Sequence, residues 1–334
     1  MTRSEGVWLA VAVAAISTSG PLVREAAVPA LAIAFWRNGL AAGGLVPTAI
    51  AQHRRAGARS IPVEGAACPA APLERSARSI PVERSARSAP VEGAARRGVP
   101  ARAWVLAVAA GLILAAHFAA WISSLSSTTI SASVALVATQ PVWAALIARA
   151  TGERLAPRAW LGVAVALAGV LVITGVAIGG SSRALRGDVL ALAGGVLAAA
   201  YVSVGSVVRR DLSTTDYTAA CYAVAAISLL VAALASGQAL VGFRLRAWLC
   251  IAAITLGPQL LGHSVFNRLL RTVGATVVSV AVLGEIVGSS LLASWWFGER
   301  PPAGLAPGAA CIVAGVLLVV RGRAPAPADA LVVG

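Results

Sequence analysis

Lysine is missing altogether: all 27 basic residues are Arg. Charge of either sign is scarce, at 12% of the chain, and there are only three His, four Cys, three Tyr and one Met. With 58% apolar residues and so little charge, 334 residues cannot cover a soluble domain with polar surface, so the chain is expected in a bilayer. The cysteines are spread as Cys68, Cys221, Cys250 and Cys311, which rules out a disulfide framework or a metal-ligand spacing and leaves small packing residues. No His-Glu-x-x-His and no Gly-x-Ser-x-Gly occurs, which argues against an intramembrane metal or serine enzyme and against any cofactor or metal site.

What is present is apolar sequence in long runs. Spanning the hydrocarbon takes roughly 20 residues of helix. Ten such spans are predicted, at 6–24, 29–51, 103–125, 128–150, 158–179, 188–208, 217–236, 247–267, 273–297 and 303–320. The first also resembles a signal peptide, but removing it would leave four spans against five in the second half, so it is kept as a span. A net charge of +14 in a soluble protein would suggest nucleic acid. Here, with both termini on one side, 20 of the 27 Arg fall on that side, six on the other, and Arg37 lies within a span. The positive-inside rule then places both termini and the 52–102 loop in the cytoplasm, of a bacterial plasma (inner) membrane by default, with no role for nucleic acid.

The chain contains itself twice. Residues 107–171 align without a gap on 253–317, with 17 of 65 positions identical. Ala, Leu and Val coincidences come easily in such a composition, but the polar and glycine matches do not. Gly111 falls on Gly257, His117 on His263, Ser133 on Ser279, Gly152-Glu153-Arg154 on Gly298-Glu299-Arg300, and Gly162 and Gly169 on Gly308 and Gly315. In the first and sixth spans Gly6, Leu9 and Ala10 likewise match Gly187, Leu190 and Ala191. The copies lie five spans apart, and an odd number reverses direction through the membrane. The fold class expected is therefore an all-α polytopic membrane protein of ten transmembrane helices in two inverted five-helix repeats, an arrangement typical of transporters.

The domains follow from that alignment: 1–51 with 103–179 as the first repeat, 187–321 as the second, 52–102 as an insertion and 322–334 as a tail. The insertion carries its own small repeat, Arg59-Ser60-Ile61-Pro62-Val63-Glu64, Arg78-Ser79-Ile80-Pro81-Val82-Glu83 and Arg87-Ser88-Ala89-Pro90-Val91-Glu92. Regular Pro forbids a continuous helix and sparse apolar residues forbid a core, so disorder is expected, with lipid headgroups as the alternative partner for its Arg. Gly20-Pro21, Pro141 and Gly257-Pro258 are expected to interrupt their spans beside a cavity. Small pairs four apart, Gly39 and Gly43, Gly284 and Gly288, and Gly304 and Gly308, suit close helix packing within the chain, a homodimer being the alternative.

Candidate site residues are the polar groups in mid-span. Glu285 lies twelve residues from either end of 273–297, where a bare carboxylate costs several kcal/mol, so it should face the bundle interior and pair or hold a proton. His117 and His263 occupy equivalent places in the two repeats and suit proton relay or a polar substrate, interhelical hydrogen bonds being the plainer reading. Arg37, between Trp36 and Asn38, either meets an anionic substrate group or Glu285, or snorkels outward across about 12 Å of helix rise. Gln140 and Pro141 would face the same centre from the fourth span, where Thr139 aligns on Glu285. Gln259, Asn267, Tyr201 and Tyr222 are further polar lining, and Trp121 and Trp143 apolar walls. Glu153 and Glu299 follow helix-stopping glycines and precede Pro, a pattern that helix ends explain without chemistry.

Gly152-Glu153-Arg154-Leu155, Trp160-Leu161-Gly162 and Leu167-Ala168-Gly169-Val170, with their degenerate second copy, resemble the EamA-like branch of the drug/metabolite transporter superfamily. Phe35-Trp36-Arg37-Asn38 is similar to that family's second-helix pattern, and Ser131-Ala132-Ser133 with Gln140-Pro141 to its fourth. The resemblance implies a central cavity, alternating access and export of amino acids, metabolites or toxic organic compounds. Where the family often has Glu-Pro in the ninth helix, this chain has Glu285-Ile286, so no kink is expected there. The function expected is a secondary transporter of small organic solutes, proton-coupled through Glu285. The alternatives are a flippase for a lipid or lipid-linked sugar and, from another class, an intramembrane enzyme.

Overall fold

The computed structural model describes residues 1–58, 99–124, 127–128, 133, 136–153, 155–174, 181–298 and 303–322. Most of the 52–102 insertion, the 323–334 tail, Cys68, Ser131, Ala132, Arg154, Glu299 and Arg300 lie outside the described residues. The described helices are α1 (Arg3–Ser17), α2 (Ser19–Ala26), α3 (Ala30–Ala58), α4 (Ala101–Ser124), α5 (Gln140–Ala150), α6 (Pro157–Thr174), α7 (Ser182–Val208), α8 (Thr214–Ala235), α9 (Leu245–Ile254), α10 (Ser264–Val282), α11 (Gly284–Phe297) and α12 (Leu305–Arg321). A π-helical segment, Thr255–His263, joins α9 to α10. Five stretches are long and apolar enough to cross a membrane unaided: Arg3–Ala26, Ala101–Ser124, Ser182–Val208, Thr214–Ala235 and Leu245–Val282. Their outer faces present Leu112, Ile227, Val231, Leu249 and Leu256 well exposed, as helices do whose solvent is lipid.

The packing obeys the inverted repeat. Helix α4 lies on α7 as α9 and the π segment lie on α2 and α1, while α3 meets α8 and α6 meets α12 across the pseudo-twofold axis. The duplicated glycines explain the last pair. Gly162 backs onto Gly315 and Gly169 onto Gly308, each so close that a Cβ would come within 2.7 Å of the opposing carbonyl oxygen. Because each helix of the pair carries both glycines, one close approach is satisfied twice, and dispersion between backbones replaces the hydrophobic drive that lipid does not supply. Gly304, Gly284 and Gly288 also abut intramolecular neighbours, whereas Gly43 faces open space. Gly152 and Gly298 take φ of 90° and 66°, so the repeated Gly of Gly-Glu-Arg is the left-handed residue that stops a helix.

Several expected boundaries are corrected. The second span runs to Ala58 rather than 51, because no Pro intervenes before Pro62 and His53 is held 2.8 Å from Asp216 of α8. Residues 268–272, expected as a loop, are helical, since Leu269 and Leu270 are buried; the eighth and ninth spans are separated only by Gly274, with φ 73° and ψ 167°. The ninth span, expected to be continuous, is interrupted at Leu283 by one tightened turn of i→i+3 bonds without any proline, its backbone staying right-handed helical at φ −59° and ψ −22°. The three expected Gly and Pro sites all mark interruptions: α2 starts at Ser19 just ahead of Gly20-Pro21, Pro141 sits in the first turn of α5, and Pro258 lies in the π segment. Pro258 has no N–H for an α-helical bond, and the widened turn accommodates it.

Candidate functional site

The interruptions converge. The turn at Ala138 and Thr139 before α5 and the turn at Leu283 before α11 lie within two residues of one another in the repeat alignment, which sets Leu283 on Val137. A broken span leaves polar backbone and side chains facing inward where a continuous one would bury them in its own wall. Between them lies a cavity of about 110 Å³, whose wall includes Arg37, His117, Trp121, Gln140, Tyr201, His263, Asn267 and Glu285. Eight of the twelve expected site residues are thus brought together from α3, α4, α5, α7, the π segment, α10 and α11. Pro141, Gln259, Tyr222 and Trp143 are not on the wall. Pro141 is buried in the first turn of α5, and Trp143 turns its indole N–H to Thr139 Oγ1 at 3.1 Å.

Gln259 and Tyr222 stand one layer behind. Arg37 Nε donates to Gln259 Oε1 at 2.7 Å, Gln259 Nε2 donates to Asn38 Oδ1 at 2.9 Å, and Asn38 Nδ2 donates to Ala34 O at 2.8 Å. This chain fixes which end of the Gln259 amide faces the guanidinium. Arg37 is 3% exposed, and its guanidinium carbon lies 4.9 Å from the centre of the Phe118 ring, a cation–π contact. Snorkelling is therefore not what this Arg does; the widened π turn sets Gln259 where it draws the side chain inward. Among the described residues no acid lies within ion-pair distance of Arg37, Glu285 included, and its Nη2 is buried without an acceptor.

His117 Nδ1 lies 2.9 Å from Gly194 O, and a carbonyl only accepts, so Nδ1 carries the hydrogen. Its ring stacks on Trp121 with centroids 6.0 Å apart. Symmetry does not extend to His263, which makes no hydrogen bond to a described residue and meets Phe266 edge-on. The reason is the π segment, which has no counterpart in α4. Tyr201 and Asn267 are joined twice, by O–H donating to Oδ1 at 3.0 Å and Nδ2 donating to the phenol oxygen at 2.8 Å. Gln140 Nε2 donates to Ser279 Oγ at 3.1 Å. Sequence reading missed Phe118 and Phe266 on the wall, for which an apolar span gives no signal. It also missed Ser279 as a site partner, although its match with Ser133 was in view.

Apolar helices packed as inverted halves, with interruptions around a cavity that carries several polar side chains, are the build of a polytopic membrane transport protein. Residues 89–175 and 185–321 match the EamA-like transporter family, and with well over half its length matched the chain belongs to that family. An uncharacterized transporter of Archaeoglobus fulgidus is 29% identical over 198 residues, covering 58% of this chain and 68% of that protein. A crystal structure of another protein superimposes with a TM-score of 0.69 at 20% identity, over 95% of this chain and 96% of that one, a likeness of fold. The protein is an integral membrane transporter whose setting is the lipid bilayer and whose substrate is a small molecule.

Proposed function

We propose that the protein is a secondary carrier that exports small organic solutes, such as metabolites, amino acids or drugs, by alternating access coupled to protons. The observation that carries this is Glu285: a carboxyl in mid-bundle, in the first turn after the interruption at Leu283, on the cavity wall and without an ion pair among the described residues. A group so placed exchanges a proton with whichever side the cavity opens to, and the tightened turn at Leu283 is where the span would bend for that opening. His263, half-buried and without a hydrogen-bond partner among the described residues, is the inner relay in this reading.

Two ion pairs at opposite ends of the bundle support alternating access. Arg246 at the start of α9 pairs with Glu25 at the end of α2, and Arg102 at the start of α4 approaches Asp211, just beyond α7, at 3.9 Å. These are corresponding ends of corresponding spans, so the inverted repeat supplies an Arg–acid latch on each face, with His53 and Asp216 as a further tie on the Arg102 face, and opening one face while the other stays tied is alternating access. Cytoplasmic termini, an inner-membrane location and the repeat boundaries at 1–51 with 103–179 and 187–321 belong to the same reading. Close glycines spent on intramolecular packing favour a monomer over a homodimer.

The test is movement of pooled labelled amino acids and cationic drugs in everted vesicles, with and without an imposed pH gradient. Gradient-dependent movement that is lost in Glu285→Gln is expected. Transport by Glu285→Gln with unchanged pH dependence removes the proton mechanism, and no movement of any compound in the unsubstituted protein favours the flippase.

A further inference from the structure

Among the described residues, Arg37 is a buried cation whose donors are not all satisfied. A guanidinium offers five N–H donors in a planar fork, and burying one without a carboxylate is unfavourable unless something else supplies acceptors. Nε has Gln259, and the cation rests on Phe118, yet Nη2 ends without an acceptor in a side chain 3% exposed. Gln259 is itself pinned by Asn38, which holds the fork in place and keeps it from swinging to Glu285. A second orphan lies on the same wall. Trp121 Nε1, also buried, has no acceptor, while its ring is fixed by stacking on His117.

Two unsatisfied donors, one of them cationic, carried by side chains that line a cavity of about 110 Å³, describe a site suited to an anion that brings its own acceptors. Leu114, Phe118, Phe266, Val278 and Val282 give the same wall, which also carries Glu285 and the two histidines, an apolar part. A cavity of that size suits a small solute, such as a carboxylate on a short branched chain.

We propose that the occupant is a small carboxylate with a short apolar tail, seated with its oxygens on the Arg37 guanidinium and the Trp121 indole N–H. The assignment rests on this cavity being the solute site. An ammonium on the same solute would face Glu285 across the cavity, so acids with and without an amine share the anchoring chemistry.

The experiment is calorimetric titration of the full-length protein in detergent micelles with isovalerate, valine and isoamylamine, which share one branched tail. Isovalerate or valine binding, with isoamylamine at least tenfold weaker, is expected. Trp121→Phe keeps an aromatic ring, smaller than the indole, and removes the N–H, and weakens the bound acid about tenfold. Arg37→Gln abolishes binding, while Arg37→Lys retains part of it. Equal binding of the amine, no binding of either acid, or unchanged affinity in folded Trp121→Phe overturns the assignment. An acid that binds but crosses no membrane leaves the anchor standing and removes the carrier reading. Gradient-driven movement of amines alone does the reverse.

Discussion

Replacing Gly169 by Ala tests the pseudo-twofold contact directly. The added Cβ would stand 2.5 Å from Gly308 O, 2.9 Å from Cys311 Cβ and 3.1 Å from Ile312 Cγ1. A carbon meets a carbonyl oxygen comfortably at about 3.3 Å, so α6 and α12 must separate by roughly 0.8 Å at that point. Overpacking of this kind costs about 1–3 kcal/mol, partly offset by the roughly 1 kcal/mol that Ala gains over Gly inside a helix. Gly43→Ala isolates the second effect, because nothing lies within 4 Å of a Cβ there and it too is helical. The helix term is common to both variants, so Gly169→Ala should be less stable than Gly43→Ala by about 1–3 kcal/mol. Thermal unfolding in detergent can be followed with a thiol-reactive dye, since Cys221 and Cys250 are buried and become accessible only on unfolding. If Gly169→Ala melts at or above Gly43→Ala, the close approach is not holding these helices together.

Four further outcomes are expected. Gly274→Ala forces a side chain into φ 73°, ψ 167°, and should lower stability by about 1–3 kcal/mol in the same unfolding assay. Tyr201→Phe removes both bonds to the Asn267 side chain and should cost about 1–2 kcal/mol, read as a lowered melting temperature. Arg246→Gln and Arg102→Gln should leave melting nearly unchanged, exposed pairs being worth about 0–1 kcal/mol, yet raise thiol labelling of single-cysteine probes in the cavity from opposite faces; labelling from the same face in both variants refutes the paired latches. Glu5 accepts the Thr2 N–H at 2.7 Å in a capping box, which holds its carboxyl below the usual range. A depressed acid stabilises above its unfolded pKa and loses that contribution as pH falls through the folded one, so acidification should speed amide exchange in the first turn of α1 and nowhere else in that helix.

Sequence pattern and physical chemistry determined a good deal without any coordinates. Composition put the chain in a membrane, apolar run length gave the spans, and the ungapped self-match gave their inverted pairing, because a bilayer constrains span length and polarity more tightly than water constrains a soluble fold. Mid-span polarity singled out Glu285, Arg37 and the two histidines, since each is too costly to face lipid. Periodicity could not decide direction. Whether Arg37 reached outward or inward turned on a π segment whose widened turn presents Gln259. Whether the ninth span was interrupted at Glu285 turned on a tightened turn at Leu283 that no proline announces. Which of the two equivalent histidines is tied turned on Gly194, distant in sequence. These are decided by packing between spans, where one extra residue in a helical turn rotates every later side chain, so the tertiary structure alone separates Pro141, Gln259, Tyr222 and Trp143 from the eight residues that share the cavity wall.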